Sequence, residues 1–149
     1  MLDSWEEYTF LAMLLTVFAL ASLTRDSRLH VGVLTLLAGW FVSIVSVNLV
    51  AFVPTLLVWV IVNIVVMYVF LQLHYRREDE EREPMWPIAI IGLEFFILIS
   101  HVTAWFFGWA YYVIAINILF GLEILIIGFI CLLRIYDRFF VRAAHKSRS

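Results

Sequence analysis

Residues 31–73 read VGVLTLLAGWFVSIVSVNLVAFVPTLLVWVIVNIVVMYVFLQL, with no Asp, Glu, Lys or Arg anywhere in the run. As a single helix this stretch would be ~65 Å long, about twice the hydrocarbon core of a bilayer. It must therefore break. Pro54 supplies the break, because proline disrupts a helix interior but suits its first turn. The run divides into spans at 31–50 and 54–73.

The same logic extends outward. Residues 5–24 form a first apolar span, with Ser4 and Glu7 spaced as a capping box at its start. The polar residues Thr24 to His30 follow as a loop. After the second and third spans comes a charged loop, His74 to Pro84, whose mixed charges suit a solvated helical extension with local ion pairs. Trp86-Pro87 opens a fourth span, 86–106. Gly108 then marks a turn among aromatic residues that favour a membrane interface, and a fifth span covers 112–134. The expected fold is an all-α polytopic membrane bundle of five helices over residues 1–134, with a basic juxtamembrane tail at 135–149.

Composition agrees. The chain has 149 residues, 64% hydrophobic and 15% charged, whereas soluble domains are about half apolar and a quarter charged. Met1 to Glu7 is acidic, unlike the basic start of a signal peptide, so the first span reads as a retained helix. Cys131 is the single cysteine, which excludes an internal disulfide and Cys-rich metal sites. Net charge is −2, so no overall basic field points to nucleic acid.

Charge placement orients the bundle. The 10 Lys and Arg fall at Arg25 and Arg28, at Arg76, Arg77 and Arg82, and from Arg134 to Arg148. With five spans all three groups share one side. With four they would be split. The positive-inside rule then places the N-terminus outside and the C-terminus in the cytoplasm. The expected location is a prokaryotic-type inner or cell membrane.

Polar side chains within the spans are costly in lipid and mark the candidate site. Measured from the basic ends by helix rise, Asn63 and Glu123 lie ~16 Å up, Glu94 ~13 Å and Ser43 ~18 Å, while Asn48, His101 and Asn117 lie near ~25 Å. Glu94 and His101 are seven residues apart and share a face. Gly121 and Gly128 form a small-residue stripe on the fifth span, and Gly39 with Ser43 forms one on the second; both suit helix packing. Glu123 sits nearly opposite Gly121. This azimuth predicts that Glu123 faces a second polypeptide, either another membrane protein or a second copy of the chain.

Two roles fit these groups. Asn and His bridging helices, with hydrogen-bonded carboxyls, would be structural. Glu94, His101 and Glu123 could instead carry protons or cations. The preferred expectation is a non-enzymatic membrane subunit or accessory protein within a larger assembly. The alternative is a small proton or cation channel or an ion-coupled transporter.

Other chemistry has weaker support. His30 and His74 lie at similar depths and form the one conceivable haem pair, but no spacing makes them face each other, so no cofactor is expected. His-Glu-x-x-His and Gly-rich phosphate motifs are absent, and no catalytic residue or metal site is expected. Ser100 and His101 are sequence neighbours pointing ~100° apart on a helix. In the tail, Arg134, Arg138 and Arg142 recur every four residues, which suits contact with lipid head groups.

Overall fold

The computed structural model describes residues 5–49, 52–75, 85–107 and 109–141. They form five long helices: α1 (Trp5–Thr24), α2 (Ser27–Leu49), α3 (Phe52–Tyr75), α4 (Trp86–Phe107) and α5 (Trp109–Tyr136). A wider π-helical turn, Asp137–Val141, continues α5. All five helices are long and apolar enough to cross a membrane.

Helix limits depart from the hydropathy reading where caps decide them. α2 begins at Ser27, inside the expected polar loop, because Asp26 caps it. Asp26 Oδ1 accepts the backbone N–H of Arg28 at 2.9 Å and of Leu29 at 3.4 Å. Arg25 takes the left-handed conformation (φ 59°) just beyond α1, so the chain reverses in two residues. At the other end α5 runs on to Tyr136, past the expected limit at 134.

Each helix packs on its chain neighbour, and α5 returns to α1 and closes a ring. Sequence neighbours are antiparallel. α1 and α5 are parallel: Phe10 meets Phe120, and a Cβ at Gly128 would stand 3.3 Å from Val17. A Cβ at Gly39 would likewise stand 3.3–3.4 Å from Val62 and Val66, so the glycine lets α2 pack closely on α3.

The ring has two unlike halves. Toward the end bearing the α1–α2 turn, Leu14, Val17, Ala21, Leu29, Val33, Phe70, Ile90, Ile124, Ile127 and Cys131 form a packed apolar core. Phe70 and Trp86 meet edge to face there, 5.8 Å apart, against Gly32. The outer surface is also apolar, with Phe41, Leu57, Ile61, Phe95, Phe96, Ile118, Leu125 and Phe129 exposed. Helices apolar all round are compatible with a lipid surround.

The basic end is tied to itself. Arg138 donates to the Leu23 carbonyl at 2.8 Å, satisfying an orphan acceptor of α1's last turn, and Arg134 Nε lies 3.8 Å from Asp26 Oδ2. These two arginines, expected at lipid head groups, thus engage the α1–α2 turn; Arg142 lies outside the described residues.

Candidate functional site

The other half of the ring holds a cavity of about 340 Å³, to which all five helices contribute. α1 offers Glu7 and Phe10, and α2 offers Gly39, Trp40 and Ser43. Trp59 and Asn63 come from α3, Glu94 and His101 from α4, and Tyr112, Asn117 and Phe120 from α5. Helical spacing explains why these residues converge. Trp59, Asn63, Val66 and Phe70 run down one face of α3, and Glu94 and His101 down one face of α4. The cavity therefore spans both expected polar depths. Asn48 belongs to α2, but its side chain lies outside the described residues, as does Ser4 of the expected capping box.

Its upper wall is an aromatic cluster. Tyr112 stacks on Trp59, centroids 5.9 Å apart and planes 11° from parallel, and His101 lies 5.6 Å from Trp59. The Tyr112 hydroxyl and His101 Nδ1 are hydrogen-bonded at 2.8 Å. With the phenol donating, the imidazole proton sits on Nε2. Trp59 is held in turn by α2: its Nε1–H donates to the Ser43 carbonyl at 3.2 Å and to Ser46 Oγ at 3.1 Å.

Several polar atoms there lack a partner among the described residues. Asn63 Nδ2 and His101 Nε2 are buried without one, on side chains only 7% and 5% exposed. One carboxylate oxygen of Glu7 is also buried and unpartnered. Buried polar groups are nearly always satisfied, so such a cluster beside a cavity marks a place for a ligand or water.

Glu123 corrects the azimuth argument. It is 0% exposed and points into its own bundle, close enough to Glu94 for the two carboxyls to interact electrostatically. Both its oxygens lack hydrogen-bond partners among the described residues. On α5 the buried Tyr112, Glu123, Ile124, Ile127, Gly128 and Cys131 fill an arc of roughly 160°, and the exposed Ile114, Ile118, Leu122, Leu125 and Phe129 fill much of the rest. The inward face centres near Ile127 and Cys131, not on Gly121. Gly121 and Gly128 border the α1 side of this arc, and Glu123 lies on the side toward α4. The carboxyl is thus no contact surface for another chain.

The two histidines at the basic end have separate surroundings. His30 Nδ1 is engaged by the Asp26 carbonyl at 2.8 Å, and its ring meets Phe18 of α1 edge-on. The buried His74 packs on Tyr75. No group of three or more His, Cys, Asp or Glu capable of holding a metal occurs among the described residues.

Sequence reasoning placed Tyr112 among the interfacial aromatic residues around Gly108 and gave Trp59 no role. A signal was present: Trp59 lies four residues before Asn63, and Tyr112 eleven before Glu123, each pair on one helix face. No protein-family model matches the chain, and neither a curated protein nor a solved structure matches it.

Proposed function

We propose that this chain is a multi-pass integral membrane protein that binds, without enzymatic chemistry, a small positively charged solute inside its helix bundle. Its N-terminus lies outside and its C-terminus in the cytoplasm of a prokaryotic-type inner or cell membrane. The one-sided cations support that orientation. It puts the cavity in the outer half and the packed core in the cytoplasmic half.

The observation that carries this reading is the convergence of five helices on one cavity containing Glu94, with the Glu123 carboxyl behind it. A carboxylate in a low-dielectric enclosure attracts a cation far more strongly than one in water. Trp40, Trp59 and Tyr112 add the ring faces on which organic cations settle. The cavity volume falls in the range of small-molecule sites, which is roughly 300–1,000 Å³. The packed apolar half below argues for a receptor or alternating carrier over an open pore. An accessory-subunit role keeps the small size of the chain in its favour but loses the support of an outward-facing Glu123.

The test uses the purified protein in lipid nanodiscs, titrated with sodium, potassium, tetramethylammonium and phenethylamine. Tryptophan fluorescence reports occupancy, since Trp40 and Trp59 line the cavity. The expected result is a saturable change with at least one cation, with a Kd below about 1 mM. Absence of any saturable response, together with stoichiometric co-purification of an unrelated membrane chain, would return the accessory-subunit reading to first place.

A further inference from the structure

The cavity has two polar levels, and their chemistry differs. Antiparallel packing of α3 on α4, fixed by the Phe70–Trp86 and Trp59–His101 contacts, places Asn63 at the level of Glu94 and Trp59 at the level of His101. The levels are ~10 Å apart along α4. The lower level offers the Glu94 carboxyl, with the Asn63 amide nitrogen buried near it and unpartnered among the described residues. The upper level offers His101 Nε2, an unpartnered donor when Tyr112 donates to Nδ1, beside the stacked Trp59 and Tyr112 rings. The rest of the lining combines the apolar Ile97, Val62, Ile116 and Phe120 with Glu7 and Asn117.

From these levels we propose that the ligand is a two-headed organic cation: an ammonium group at one end, a flat apolar body, and a hydrogen-bond acceptor oxygen at the other end. The ammonium meets Glu94. The body lies between the two heads, against the apolar lining residues. The oxygen accepts from His101 Nε2. This assignment rests on the solute-binding reading above and narrows its substrate class. It also accounts for the buried unpartnered donor His101 Nε2, on a side chain more than nine-tenths buried.

The experiment compares three probes on the wild-type protein in nanodiscs. Tyramine carries both heads, phenethylamine lacks the far oxygen, and tyrosol lacks the ammonium. Tyramine should bind about tenfold more tightly than phenethylamine, the worth of one hydrogen bond to an otherwise unsatisfied donor. Tyrosol should bind more weakly still. Replacing the imidazole in His101→Phe should bring the tyramine-to-phenethylamine ratio toward one, and the wild-type series stands alone should that variant fail to fold. Equal binding of tyramine and phenethylamine would overturn the two-headed assignment while leaving cation binding intact. Equal binding of tyrosol and tyramine would remove the role of Glu94. Failure of every ammonium compound to bind would overturn this assignment, and failure of sodium and potassium as well would overturn the cation-binding reading.

Discussion

Glu94→Leu should lower affinity for any bound ammonium compound about a hundredfold, the effect of losing one charge-assisted hydrogen bond in a desolvated site. Glu94 is 4% exposed and is the carboxyl at the lower level of the cavity. Leucine there extends an already apolar lining, so the bundle should still form. Glu94→Gln keeps a hydrogen-bond acceptor and should fall between wild type and leucine. Tryptophan-fluorescence titration measures all three. Unchanged affinity in Glu94→Leu would place the cation elsewhere, with Glu7 the next candidate.

Glu123→Leu should act in the opposite direction on stability. Both carboxylate oxygens are buried without hydrogen-bond partners among the described residues. A buried unsatisfied polar group costs about 1–3 kcal/mol, so removing it should raise the midpoint of denaturation by a corresponding amount. Cation affinity should fall a few-fold in the same variant, because a polar carboxyl that interacts with Glu94 is lost. Stability gained with function lost is the expected signature of a site held in strained chemistry. A lower midpoint would show instead that the carboxyl is a structural keystone.

Five helices long enough to cross a membrane were legible in residues 31–73 and their flanks, because a bilayer crossing sets a length for an apolar run. Pro54 and the absence of charge did the work, and α1 emerged with the expected bounds, Trp5–Thr24. Caps escaped the hydropathy argument. Asp26 starts α2 within a stretch that reads as loop, since a cap is a local hydrogen-bond fact and not an apolar pattern. Depth placed Asn63 and Glu94 near one another because rise per residue is fixed. Azimuth misplaced Glu123, because the width of a helix's inward face depends on how many neighbours cover it. α5 has α4 on one side and α1 on the other, so its buried arc takes in Glu123 as well as Gly128. The aromatic wall went unread for a related reason. A tryptophan inside a span looks the same in sequence whether it meets lipid or a cavity.

The central claim is that the outer half of the bundle encloses a solvent-reached cavity and the cytoplasmic half does not. The most direct measurement is thiol labelling on α5 in a Cys131→Ala background. Val113 lines the cavity, and Ile127 belongs to the packed core. In Val113→Cys, a membrane-impermeant reagent added outside should label the protein, and a saturating ammonium ligand should slow that labelling. In Ile127→Cys the reagent should fail from either side. Labelling of Val113→Cys from the cytoplasmic side alone, or equal labelling of the two positions, would contradict the account.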